Sequence, residues 1–340
     1  MLADKFMIQD VRRVALAAYN NRLCPVPPRP DGSKAPIGDW GRYQRIRPTP
    51  RQIETWYGCN TGVGLVCGGI SDNLECLEFD EPVVYDSYKD LATAAGLGDL
   101  VGRIERGYLE QSPSGGIHWL YKCDEIAGNC KLARRSNGIS TVKVLIETRG
   151  EGGYIIIAPS YGNVHPSGKP YMLLGGGVNS IVTLTPDERQ ALWELARTFD
   201  LMPKLRAKEG PLLIPTNPGH RPGDHFSNLA AWEDVLLPHG WVKVFQRDYV
   251  GYWRRPGKES GVSATTNWQG SDLLYVFSTS TIFEPERGYS KFSAHALLEH
   301  GGDFNAAAKS LVKQGYGNPH RNPQKKHHRP RPITSWEVRG

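Results

Sequence analysis

The stretch Leu74-Glu75-Cys76-Leu77-Glu78-Phe79-Asp80 ends in a strict alternation of apolar and polar positions from Leu77 to Asp80. A strand sends alternate side chains to opposite faces, so Leu77 and Phe79 turn to a core while Glu78 and Asp80 share the other side. Pro82 then stops the pairing. Apolar runs over Gly62–Cys67, Tyr108–Gln111, the segment opening at His118, Val142–Glu147 and Tyr154–Ala158 predict further strands. A helical period places Phe6, Met7, Val11, Val14, Ala15 and Ala18 on one face of Asp4–Asn21, and Tyr85–Gly96 also reads as a helix. Thr49-Pro50 and Thr185-Pro186-Asp187-Glu188 each set a hydroxyl cap before a proline and so mark helix starts. The first closes near Trp56 and Tyr57; the second buries Leu192, Trp193 and Leu195. Pro25–Pro36 and Cys123–Asn137 read as loops.

The pattern changes near Asp200. Residues 1–205 form one predicted domain, 206–225 a proline- and glycine-rich linker, and 226–316 a smaller α+β domain. In the latter, Ser227 caps a helix through Leu237. Trp241–Phe245, Tyr249–Arg255, Gly261–Thr266 and Leu273–Ser278 read as strands, and Ser290–His300 and Asp303–Gln314 as closing helices. Residues 317–340 are a basic, proline-rich tail of disordered composition.

The chemistry concentrates in three stretches. Glu78 and Asp80 repel each other unless a proton or cation lies between them, although acids facing solvent from an alternating strand are commonplace. Ser112-Pro113-Ser114-Gly115-Gly116-Ile117-His118 joins small hydroxyls to a Gly-Gly step, a turn through which backbone amides can approach phosphate. Val142–Glu147 ends in a third acid, before Arg149-Gly150-Glu151-Gly152-Gly153-Tyr154 turns into the next strand.

In this order the stretches resemble the catalytic motifs of the prim-pol family, within the archaeo-eukaryotic primase superfamily. The likeness includes Pro28-x-x-x-Gly32-Ser33-Lys34-x-Pro36-x-x-x-Trp40 and covers roughly Met7 to Asp200. Many relatives carry Asp where this chain has Glu78 and Glu147. The resemblance implies an α+β catalytic domain with mixed or antiparallel sheets and flanking helices. It implies a DNA primase/polymerase, a nucleotidyltransferase, in which Glu78, Asp80 and Glu147 hold two divalent cations. Magnesium or manganese suits those hard oxygens. It also implies that Ser112, Ser114, Gly115, Gly116 and His118 hold the nucleotide triphosphate, helped by Lys131 and Arg149. Single-stranded DNA and NTP or dNTP are the implied partners, with a replicative helicase as a further one, in phage or mobile-element replication.

Other cations are candidates for DNA contact. Lys34, Arg134 and Arg135 could meet template backbone or simply be solvated. Tyr252-Trp253-Arg254-Arg255-Pro256-Gly257-Lys258 interleaves aromatics with cations, a mixture that stacks on bases and neutralises phosphates, or is an ordinary hairpin. The second domain loosely resembles the zinc ribbon of bacterial primases without its cysteines. Cys123 and Cys130 fall short of a four-ligand zinc set. Gly162–Pro170 imitates a phosphate-binding P-loop, but its spacing is one residue too long and Pro170 replaces the metal-binding hydroxyl, so a hairpin is expected.

Composition sets outer bounds. The 340 residues are 39% hydrophobic and 22% charged with a net charge of +6, which suits a globular chain and permits a polyanion partner. No stretch has the length and apolarity of a membrane span, and Asp4, Lys5 and Asp10 occupy positions a signal peptide keeps apolar. The six cysteines lack paired spacing and read as reduced thiols of a cytoplasmic protein. Two rival classes remain, a metal-dependent nuclease and a non-catalytic DNA-binding replication initiator.

Overall fold

The computed structural model describes residues 2–138, 141–202, 205–206 and 221–317, with side chains from residue 10 onward except those of 205–206. Most of the expected linker, and all of the tail beyond residue 317, lie outside the described residues. The chain forms two compact units, Met1–Pro203 with Glu259–Val262, and Lys204–Lys258 with Ser263–Gly340.

In the first unit, α1 (Leu2–Asn20) buries Val11, Ala15 and Ala18 completely, one face of its helical period. After β1 (Cys24–Pro25), α2 (Pro50–Trp56) opens on a capping box in which Thr49 and Gln52 exchange bonds. Then follow β2 (Val63–Val66), β3 (Leu74–Phe79), α3 (Pro82–Ala94), α4 (Gly98–Gly107), β4 (Tyr108–Gln111) and β5 (Ile117–Cys123). Next come β6 (Cys130–Ser136), β7 (Val142–Arg149), β8 (Tyr154–Ile157), β9 (Met172–Gly176), β10 (Thr183–Leu184) and α5 (Pro186–Arg197). Helix α5 opens on a second capping box, between Thr185 and Glu188. This is a mixed α+β architecture with antiparallel sheets. One sheet runs β1-β2-β8; the larger runs β6-β7-β3-β5-β4-β9, with β10 parallel to the end of β5.

Strand β3 lies inside the larger sheet, and its two faces meet different surroundings. Leu74 and Cys76 join Leu65, Cys67, Leu120, Ile155 and Ile157 in a core that takes residues from both sheets. On the opposite face, Phe79 packs its ring 5.1 Å from Trp119 and 4.9 Å from Tyr88 of α3. Glu75, fully buried there, accepts from Arg189 Nη2 at 2.7 Å, Tyr121 Oη at 2.5 Å and Trp193 Nε1 at 3.2 Å. A buried carboxylate persists only with such partners. The Glu78 side, continuing past Cys76, is therefore the part of β3 left to line a cleft.

Several expectations need correction. The expected loop Cys123–Asn137 contains strand β6, whose polar sequence hides it; pairing with β7 and burial of Leu132 and Ala133 hold it extended. The helix α4 had no predicted counterpart, because Gly98, Gly102 and Gly107 mask the apolar spacing of Leu100, Val101 and Ile104. Gly162–Pro170 is not a hairpin: β8 and β9, on either side of it, belong to different sheets.

The second unit contains β11 (Leu205–Arg206), α6 (Pro222–Leu229), α7 (Trp232–Leu236), β12 (Val242–Arg247), β13 (Val250–Arg254), β14 (Ala264–Thr266), β15 (Leu274–Val276), β16 (Arg287–Tyr289), α8 (Lys291–His300) and α9 (Phe304–Lys313). Its sheet runs β11-β16-β15-β14-β13-β12 around Trp232, Trp241, Trp253, Val276 and Leu311. The single helix expected from Ser227 is two. The backbone extends at Ala230 and Ala231, and Ser227 lies within α6, where its hydroxyl accepts from Phe292 N–H at 3.2 Å.

Candidate active site

The register of the larger sheet aligns Glu147 with Glu78, Glu78 with His118, and His118 with Glu110. Residues paired directly across neighbouring strands share a face, so these four form one rank over β7, β3, β5 and β4. Asp80 follows one residue past β3, its N–H bonded to Leu145 O at 3.0 Å. The rank opens into a cleft of about 620 Å³ lined by Glu78, Asp80, Glu147, His118, Ser112, Ser114, Gly116, Lys34, Lys143, Arg149, Tyr154 and Tyr171, among others.

Three carboxylates in one cleft cost electrostatic energy. Desolvation, with the charges of Glu78 and Asp80 against the relief given by Arg149, pushes Glu147 up to about 7. Desolvation and Glu78 likewise raise Asp80. Arg149, two residues beyond Glu147 on the same strand face, places Nη2 2.6 Å from Glu147 and Nε 3.4 Å from Glu78. Its own pKa is raised: burial alone would lower it, and the two acids more than offset that.

His118 is held from behind. Its Nδ1 lies 2.8 Å from Glu110 Oε1, and Glu110 is fully buried, accepting also from Tyr108 Oη and Ala158 N–H at 2.7 Å each. Burial alone would lower the His118 pKa; the Glu110 bond and the charges of Glu78, Glu110 and Asp80 outweigh it, and the net shift is upward.

The preceding turn closes with Ser112 N–H on Gly116 O at 2.8 Å and Gly115 N–H on Ser112 O at 2.9 Å. Gly115 takes φ +93°, and a Cβ on Gly116 would stand 2.8 Å from Phe79 O, so both positions require glycine. The turn is thereby pressed against the end of the acidic strand.

The structure brings Glu78, Asp80, Glu147, Ser112, Ser114, Gly116, His118, Arg149 and Lys34 to this one cleft; Gly115 completes the turn. Lys131 pairs with Glu147 in register, but its side chain is exposed and does not line the cleft. Arg135 donates twice to Glu81, at 2.8 and 3.1 Å, and Arg134 lies 3.6 Å from Asp200. In the second unit, Arg254 and Arg255 are half-buried, and Arg255 Nη1 donates to Pro256 O at 3.1 Å. The base-stacking reading of the neighbouring aromatics needs correction. Trp253 is fully buried and donates to Thr266 Oγ1, while Tyr252, 3% exposed, stacks on Phe245 with centroids 4.3 Å apart.

Sequence reasoning missed Glu110 and Lys143. Each had a faint signal: Glu110 interrupts a short strand just before the serine turn, and Lys143 alternates in step with Glu147. Lys143 lines the cleft while its Nζ holds Glu81 at 2.5 Å.

An α+β domain that gathers three carboxylates, hydroxyls and cations around such a cleft has the groups to bind a divalent cation beside a polyphosphate. Residues 15–188 match the Prim-Pol family, described as bifunctional DNA primase/polymerase, N-terminal, and the chain belongs to it. No curated protein matches the chain. The family implies DNA and nucleotide substrates and a general dependence on divalent metal ions.

Among the described residues, no three His, Cys, Asp or Glu side chains close on one point as a finished metal site. The donor chemistry nevertheless fits. Glu78, Asp80 and Glu147 offer hard oxygens, and burial together with the neighbouring acids raises the Asp80 and Glu147 pKa values even with Arg149 beside them. Among the described residues no helix is long and apolar enough to cross a membrane.

Proposed function

We propose that this protein is a template-dependent DNA primase/polymerase that makes and extends primers by two-metal nucleotidyl transfer, in the cytoplasm, during phage or mobile-element replication. The observation that carries this reading is the Glu147–Glu78–His118–Glu110 rank, with Asp80 at its edge and the Ser112–His118 turn on the same cleft.

Glu78, Asp80 and Glu147 are the residues to hold magnesium or manganese. Held there, such cations would supply Lewis-acid activation of a 3′-hydroxyl and charge neutralisation for a pyrophosphate leaving group. The chain's own groups bind and orient. Glu110 fixes the His118 ring so that its free nitrogen serves the triphosphate, and the Ser112–Gly116 turn offers hydroxyls and amides to the same anion. Lys34 and Lys143 add positive charge at the cleft wall. Arg149 is the counter-charge of the acids and lines the same cleft, where its guanidinium adds positive charge for phosphate. Single-stranded DNA is held in part by Arg134, Arg135, Arg254, Arg255 and Lys258, and a helicase is the expected replication partner.

The test is incubation with single-stranded DNA, manganese and labelled nucleotides, with products resolved on a gel. New labelled strands that require template support the reading. Cleavage of the template with no incorporation points to the nuclease, and binding without chemistry to the initiator.

A further inference from the structure

Loop Gly162–Pro170, an imitation P-loop in sequence, touches both Ser114 and the Lys34 segment of the cleft. Tyr171 N–H closes it on Ser160 O at 2.8 Å, and its His165 is 7% exposed. Ser167 N–H donates to His165 Nδ1 at 3.1 Å, and Ser167 Oγ lies 2.9 Å from the same nitrogen. That Oγ also accepts from Lys169 N–H at 3.3 Å, while the Ser167 N–H bond occupies the Nδ1 lone pair. Nδ1 is thus an acceptor, and the neutral ring carries its proton on Nε2. That nitrogen lies 3.1 Å from Ser114 Oγ. Burial and the nearby Lys34 charge keep the His165 pKa below its ordinary value, consistent with a neutral ring. By accepting from His165, Ser114 keeps its own O–H free to point elsewhere, and Ser114 lines the cleft. The same loop reaches the Lys34 segment: Gly32 N–H donates to Asn163 O at 2.6 Å.

We propose that His165 is a positioning residue of the polyphosphate subsite, which sets Ser114 as a hydroxyl donor to an incoming nucleotide while its loop anchors the Lys34 segment beside it. This inference rests on the nucleotide-binding reading above.

Calorimetric titration of the full chain with dATP and with dAMP, in magnesium and without template, tests it. His165→Leu should weaken dATP binding about tenfold and dAMP binding little, the scale of one lost hydrogen bond to a charged group. His165→Gln, whose amide N–H can reach Ser114, should stay near wild type. Ser114→Ala should lose the same factor, and the Ser114→Ala/His165→Leu pair no more than either alone. Unchanged dATP affinity in His165→Leu, or losses that multiply in the pair, overturn the inference. Should His165→Leu fail to fold, Ser114→Ala with His165→Gln decides: it must match Ser114→Ala alone, and a further loss overturns the inference. A wild type that binds dATP no better than dAMP refutes the nucleotide-binding reading itself, and the inference with it.

Discussion

His118 Nδ1 stands 2.8 Å from the carboxylate of Glu110, a fully buried acid that also accepts from Tyr108 Oη and the Ala158 amide. The pairing decides which imidazole nitrogen faces the cleft. Glu110→Gln keeps the shape but loses the charge-assisted bond, and primer extension should fall about tenfold to a hundredfold. Glu110→Ala strands two buried donors besides and should cost about 2–5 kcal/mol of stability. Extension kinetics and urea unfolding read the two effects separately; wild-type behaviour of both variants would deny Glu110 any part in the site.

On the opposite face of β3, Glu75 and Arg189 form a buried pair at 2.7 Å, with the guanidinium 3.8 Å from the Trp193 ring centroid. Removing one charge of such a pair leaves the other uncompensated. Glu75→Ala should therefore destabilise the first unit by about 3–5 kcal/mol, measured as a lowered urea midpoint. Replacing both residues by apolar ones of similar volume should recover most of that loss. A Glu75→Ala variant as stable as wild type would contradict the pairing.

Gly116→Ala places a methyl 2.8 Å from the Phe79 carbonyl, at the join of the serine turn and the acidic strand. Backbone cannot swing aside as a flexible side chain would, so the turn must move away from the acids. Nucleotide incorporation should fall by about a hundredfold, since a displacement of about 1 Å has that effect on positioned groups. The melting temperature should change by only a few degrees. Full incorporation by Gly116→Ala would refute the close approach.

Local patterns revealed much of this. Alternation along Leu77–Asp80 separated the faces of β3, and Thr49-Pro50, Thr185-Pro186, Ser290 and Asp303 marked helix starts within a residue of those observed. What alternation could not show was Glu75. It lies on the same face as Leu77 and Phe79, and only the arrival of Arg189 from a distant helix makes its burial tolerable. Glu110 escaped for a similar reason: its role depends on strand register, which single-strand periodicity does not encode. Strand β6 was hidden because a strand rich in polar residues owes its shape to its neighbour. In the second unit, Tyr252 and Trp253 looked like a stacking surface, since an aromatic next to a cation reads alike inside and outside a core.

The second unit retains cations at Arg254, Arg255 and Lys258. If they contact template phosphates, reversing all three to glutamate should weaken single-stranded DNA binding and flatten its salt dependence by up to about two units of logarithmic slope, at about 0.7 per phosphate contact. Fluorescence anisotropy across a salt series measures this. An unchanged slope would assign template contact elsewhere.

The account depends most on the three acids of the cleft. Asp80→Ala, assayed for template-dependent synthesis with magnesium and again with manganese, is the direct measurement. Synthesis should fall by at least about a thousandfold with either metal, while single-stranded DNA binding stays within about threefold, because phosphate contacts dominate that affinity. Retained synthesis with either metal would contradict the assignment of Glu78, Asp80 and Glu147 as the metal-holding centre.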